Sequence, residues 1–86
     1  MKVRLTLYSK AGCHLCDEMK EVVDRLGSRV PLELHVVDIS TYPVLEKQFG
    51  AEIPVLMIEG RKAAKFRVTE EELEKVLAGR TAKGRT

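Results

Sequence analysis

The chain has two cysteines, Cys13 and Cys16, three positions apart in Ser9-Lys10-Ala11-Gly12-Cys13-His14-Leu15-Cys16. Thiols at this spacing serve disulfide exchange, metal capture or plain packing, so spacing alone does not choose between them. The flanking pattern narrows the choice. Val3, Leu5 and Leu7 alternate with Arg4, Thr6 and Tyr8, which is the period of a strand. From His14 to Leu26, the apolar residues Leu15, Met19, Val22, Val23 and Leu26 recur at helical spacing, with Gly27 as a stop. The pair therefore falls at the start of a helix that follows a strand. Unpaired amides and the helix dipole favour a thiolate on Cys13 there, and Lys10 adds a cation three residues earlier. Cys13 is the expected nucleophile. Cys16, one turn later on the same face and more enclosed, is placed to resolve a mixed disulfide by attacking the Cys13 sulfur. Asp17 and Glu18 hinder its own ionisation.

Other ligands are few. Zinc takes four, and only His14 and His35 remain to join the two thiols, so no metal site is expected within one chain. Two chains would supply four thiols, which leaves a shared iron-sulfur cluster or soft metal as a second reading. His14 has two readings of its own. It can tune Cys13 by a hydrogen bond or a positive charge, or it can be a solvated loop side chain.

At 86 residues the chain makes one small domain. Its formal charge of +2 comes from the end of the chain: Arg80, Lys83 and Arg85 carry three of the 15 cations, and the other 12 face 13 anions. The body thus has no basic patch for nucleic acid. No apolar stretch reaches the roughly 18 residues that span a bilayer, and the N-terminus lacks a signal region, so no membrane partner and a cytoplasmic location are expected. A lone pair of cysteines does not make the multi-bridge framework of a secreted mini-protein.

The remaining elements follow from periodicity and turn residues. Leu32 to Val37 reads as a second strand, with Leu34 and Val36 alternating against Glu33 and His35. A helix between two strands of one sheet implies a parallel right-handed crossover. Asp38 to Thr41 is a turn or cap cluster. Pro43 suits a first helical turn, and Val44, Leu45 and Phe49 make a short helix closed by Gly50. Ile53-Pro54-Val55-Leu56-Met57-Ile58 is a buried strand, Glu59-Gly60 a tight turn, and Arg61 to Phe66 an antiparallel edge strand. Thr69 and Glu72 form a capping box for a last helix, with Leu73, Val76 and Leu77 as its buried stripe and Gly79 as its end. The order is β-α-β-α-β-β-α, with a domain over 1–78 and a disordered basic tail over 79–86.

Leu5 to Cys16, followed by Val37-Asp38 and Ile53-Pro54-Val55-Leu56, resembles the thioredoxin superfamily, and more closely the small glutaredoxin-like proteins. The resemblance implies an α/β three-layer sandwich around a four-stranded mixed sheet, a redox-active Cys13–Cys16 disulfide and a cis Ile53–Pro54 bond opposite it. It assigns substrate or glutathione contact to Lys10, His14, Ile53 and Pro54. It further implies a monomeric dithiol–disulfide oxidoreductase with no tightly bound cofactor, a protein disulfide or glutathione as partner, and glutathione as a candidate reductant. The chain departs from the glutaredoxin pattern in two places. His14-Leu15 replaces Pro-Tyr between the cysteines. Ala64 and Lys65, then Phe66-Arg67-Val68, stand where a Gly-Gly pair and an acidic cap bind the γ-glutamyl end, and bulk there hinders close backbone approach. A thioredoxin-like adaptor with vestigial cysteines is the third reading.

Overall fold

A computed structural model describes residues 2–84, with side chains described as far as Ala78. Strand β1 (Val3–Ser9) leads into helix α1 (His14–Gly27), and β2 (Leu32–Asp38) returns beside β1. A 3-10 turn over Ile39–Thr41 precedes helix α2 (Pro43–Phe49); then come β3 (Val55–Ile58), β4 (Arg61–Lys65) and helix α3 (Glu70–Gly84). The strands lie in the order β2-β1-β3-β4. β1 and β2 are parallel, from Val3 opposite Leu32 to Ser9 opposite Asp38, and the other two pairings are antiparallel. Parallel neighbours need a long crossover, and α1 supplies it.

Strand alternation divides the apolar residues between two faces. On one face Leu5, Leu7, Leu56 and Ile58 meet Met19, Val22, Val23 and Leu26 of α1 and Leu73 and Leu77 of α3. On the other, Val55 packs with Ile39 and Phe49, flanked by Tyr8, Leu45, Ile53 and Met57. The sheet thus has α1 and α3 on one side and α2 on the other, a three-layer arrangement. Burying each leucine of these clusters contributes about 1.5–3 kcal/mol before chain entropy is counted.

Local chemistry sets the ends of the elements. Glu59 and Gly60 take φ of 47° and 89°, the left-handed pair that a two-residue hairpin turn needs to match strand twist. At α3, the Glu72 amide donates to Thr69 Oγ1 at 3.0 Å and the Thr69 amide donates to Glu72 Oε1 at 2.9 Å, the reciprocal capping box read from the sequence. Arg29, just past α1, pairs with Glu70 and Glu74 of α3 at 3.4 and 3.2 Å and clips the two helices together.

Two expectations need correction, the burial of Val76 and the end of the last helix. Val36, within the strand read from Leu32 to Val37, is 48% exposed. Val76, assigned to the buried stripe of α3, is 41% exposed; among the described side chains of α3, Leu73 and Leu77 carry the contact face. Val44 of α2 is 76% exposed, leaving Leu45 and Phe49 to cover the sheet. The last helix does not end at Gly79: its backbone continues to Gly84. Of the tail expected over 79–86, residues 85–86 and all side chains from Gly79 onward lie outside the described residues.

Leu56 is fully enclosed in the larger cluster, so Leu56→Ala is expected to lower stability by about 2–5 kcal/mol. Val44→Ala, at an exposed site, should stay within about 0.5 kcal/mol of wild type. Urea denaturation of the two variants measures the contrast.

Candidate functional site

The two cysteines lie where the carboxyl end of β1 turns into α1. Gly12, at φ 79°, reverses the chain before the helix, a conformation glycine takes freely. Cys13 follows in extended conformation as the N-cap of α1. Its sulfur occupies the place a serine or aspartate oxygen takes in an ordinary cap: the Cys16 amide donates to Cys13 Sγ at 3.1 Å. The same sulfur is bonded to Cys16 Sγ in a disulfide with a Cα–Cα separation of 5.2 Å. Cys13 is half-buried, whereas Cys16 is 3% exposed and belongs to the buried stripe of α1 with Met19, Val22, Val23 and Leu26. Only Cys13 is therefore open to a partner.

Register places a second element beside them. Tyr8 pairs with Val55, so Pro54 lies level with the end of β1, on the side of the sheet from which the cysteine loop departs. The Ile53–Pro54 bond is cis, Pro54 is buried, and Ile53 is half-buried against the α2-side cluster. The Pro54 carbonyl accepts a hydrogen bond of 2.9 Å from the amide of Phe66, which ties the residue after β4 to this end of the sheet. Cys13, Cys16 and Pro54 thus share one end of the sheet.

The two polar residues of the expected set fare differently. Lys10 is held by Glu46 of α2, Nζ to Oε2 at 2.9 Å. His14 is exposed on the first turn of α1 and makes no hydrogen bond or ion pair with the described residues; the donor to the Cys13 sulfur is the Cys16 amide. Beside Lys10, Asp38 caps the 3-10 turn. Its carboxyl is held below its ordinary value of 3.8 first by the Ser40 hydroxyl at 2.6 Å, then by the Ser40 amide at 2.9 Å, with Lys10 adding to the effect. No group of three or more His, Cys, Asp or Glu side chains suited to a metal ion is found among the described residues.

Sequence reasoning missed Glu46 and the conformation of Phe66. Glu46 is 36 positions from Lys10, and neither residue carries a local sign of the other. Phe66 has φ 67°, and the Arg67 amide donates to the Lys65 carbonyl at 2.8 Å, which closes a three-residue γ-turn about it. This left-handed form is rare and strained for a bulky residue, with a cost on the order of 1–3 kcal/mol. A phenylalanine between two cations gives no sequence signal for such a turn.

A family model described as Glutaredoxin-like domain (DUF836) matches residues 4–78. The chain is 26% identical to Uncharacterized protein Rv0508 of Mycobacterium tuberculosis, over 91% of this chain and 86% of that one. Among solved structures it is similar to the X-ray structure of protein XcR50 from X. campestris, with 29% identity, a TM-score of 0.77, and coverage of 87% of this chain and 96% of that one. It is also similar to desulfothioredoxin from Desulfovibrio vulgaris Hildenborough, solved in its reduced form, with 28% identity, a TM-score of 0.67, and coverage of 92% and 82%.

Asp38 also generates a pH prediction. Its folded pKa is depressed, so the stability it adds is present above the unfolded value and is lost as pH falls through the folded value. Asp38→Asn should therefore lower the urea midpoint at pH 7. The gap from wild type should begin to close as pH drops below about 4 and vanish in stronger acid.

Proposed function

The chain belongs to the glutaredoxin-like domain family, and from that membership we propose that it is a dithiol–disulfide oxidoreductase, with Cys13 as nucleophile and Cys16 as resolving thiol. The observation that carries the reading is the Cys13 sulfur at the N-cap of α1, accepting the Cys16 amide at 3.1 Å while bonded to the buried Cys16. An amide aimed at that sulfur stabilises a thiolate more than a thiol, and the dipole of α1 acts in the same direction. The similar desulfothioredoxin was solved in its reduced form, the state from which this chemistry starts.

The cycle begins with the reduced pair. The Cys13 thiolate attacks one sulfur of a substrate disulfide; a Cys13–substrate bond forms, the substrate S–S bond breaks, and one substrate thiolate leaves with the electron pair. Cys16 then loses its proton to solvent and attacks Cys13 Sγ. The mixed disulfide breaks, the second substrate thiolate departs and takes a proton, and the Cys13–Cys16 disulfide forms. Two electrons have passed from the protein to the substrate. An external thiol, glutathione or a protein dithiol, returns two electrons and resets the pair. Burial of Cys16 keeps the resolving sulfur away from competing partners, and the one-turn spacing keeps it within reach. The proposal takes the chain to act as a monomer in a reducing cytoplasm, without a resident metal or cofactor.

The reading predicts the behaviour of two variants against a peptide–glutathione mixed disulfide. Cys13→Ser should lose at least a hundredfold in reduction rate. Cys16→Ser should accumulate a covalent Cys13–substrate adduct visible by mass spectrometry. Full activity in Cys13→Ser would sink the reading. In wild type, the thiolate absorbance should show Cys13 ionising below the value of about 8.5 typical of a free thiol.

A further inference from the structure

We infer that Glu46 is a specificity-determining residue of the redox site. By holding the ammonium of Lys10 it turns away disulfides that carry a carboxylate beside the reacting cysteine, and the substrates are disulfides with an uncharged or cationic neighbour there. The inference rests on the dithiol–disulfide reading above and names the substrate class for that same site.

The covalent chain fixes Lys10 near the nucleophile. It is joined to Cys13 through a reach of at most about 11 Å between Cα atoms, and the left-handed turn at Gly12 shortens that distance. The separation is comparable to the Debye length of about 10 Å at 0.1 M salt, so a free ammonium at Lys10 would draw anionic ligands towards Cys13. The ammonium is instead engaged by another element: Lys10 Nζ stands 2.9 Å from Glu46 Oε2, on α2. Asp38, opposite Ser9 across the sheet and capped by Ser40, feels the same cation.

Packing does not require this pair. Helix α2 is docked by Phe49, which stacks on Tyr8, and by Leu45, which joins the cluster that includes Ile53 and Val55. An ion pair with side chains 35% and 46% exposed adds little to that docking. Its consequence falls on the ligand. A carboxylate arriving beside Cys13 reaches the ammonium only by displacing Glu46, and so exchanges one exposed ion pair for another with almost no net gain. An uncharged neighbour is indifferent to the exchange. A cationic neighbour meets Glu46 and Asp38 as added partners. The other charged side chains of the two helix starts do not reverse this balance: Asp17 lies one turn after Cys13 on α1 with Glu18 next to it, and Lys47 follows Glu46 on α2. Glutathione, with two carboxylates, is thus the disfavoured kind of partner, and a protein disulfide flanked by lysine, arginine or uncharged residues is the favoured one.

The test uses three short peptides, each joined through its cysteine to 2-mercaptoethanol and identical except for lysine, glutamine or glutamate next to that cysteine. Each kcat/KM is divided by the rate at which dithiothreitol reduces the same peptide, which removes the peptides' own reactivity. Wild type should favour lysine over glutamate by about three- to fivefold, the range of an exposed ion pair, with glutamine between them. In 1 M salt, where the Debye length is about 3 Å, the ratio should fall towards one. Glu46→Gln releases Lys10 and should bring the ratio to about one or below. In a Lys10→Gln chain the same substitution should move the ratio by less than about twofold, because no ammonium is left to release. Equal handling of the peptides by wild type, a preference for glutamate, a preference that persists in 1 M salt, or a shift of equal size in both backgrounds would overturn the inference and leave the redox reading standing. Loss of folding in Glu46→Gln would also overturn it, because the pair would then be structural. Wild type that reduces none of the peptides would remove the redox reading and the inference together.

Discussion

The candidate site depends on the burial of β1 on both faces. Leu5 and Leu7 face α1 and α3, while Tyr8 on the other side stacks on Phe49 of α2 with ring centroids 4.8 Å apart. A strand held this way, parallel to β2 on one edge and antiparallel to β3 on the other, has little freedom to slide. Its parallel partner must be reached by a crossover, so a helix has to begin within a few residues of its carboxyl end. Cys13 is the residue at which that helix begins. The exposed amides at the start of α1 therefore follow from the topology of the sheet, and the thiol is placed to use them.

The asymmetry of the two cysteines has the same origin. One turn of helix separates them, and the face of α1 that packs on the sheet takes Cys16 inside together with Met19 and Val23. Cys13, as the cap, stays at the rim. Electrostatics around the rim is more balanced than the loop residues alone imply, because Glu46 answers the charge of Lys10 and Asp38 lies near the same cation. A half-exposed pair of this kind contributes little to stability and is open to competition from solvent and from ligands. The backbone donor at 3.1 Å from the Cys13 sulfur is the better fixed of the two influences.

Much of the fold was legible because strong periodicity and strong punctuation agreed. The alternation of Val3, Leu5 and Leu7, the helical spacing from Leu15 to Leu26, the Glu59-Gly60 turn and the Thr69–Glu72 box all appear where they were read. Val76 was misread as buried, and Val36 and Val44 are exposed, for one shared reason. Periodicity tells which face of an element can be buried, but exposure is decided by whether another element reaches that position. β2 is an edge, α2 is short, and α3 touches the sheet through Leu73 and Leu77. Gly79 failed as a helix end because a glycine weakens a helix without forbidding it.

The sequence by itself determined the local chemistry: two thiols one turn apart, a helix starting at the first of them, and a strand sequence on each side of that helix. These follow from short-range terms, hydrogen bonding within a turn and the spacing of apolar side chains, which depend on near neighbours alone. Only the tertiary structure decided which sulfur is enclosed, that Lys10 answers to Glu46, and that Phe66 turns left-handed against the Pro54 carbonyl beside the cysteine helix. Each of these joins residues far apart in the chain. Such contacts exist only after the sheet order has brought the ends of β1, β3 and β4 together, and no local pattern of residue types encodes them.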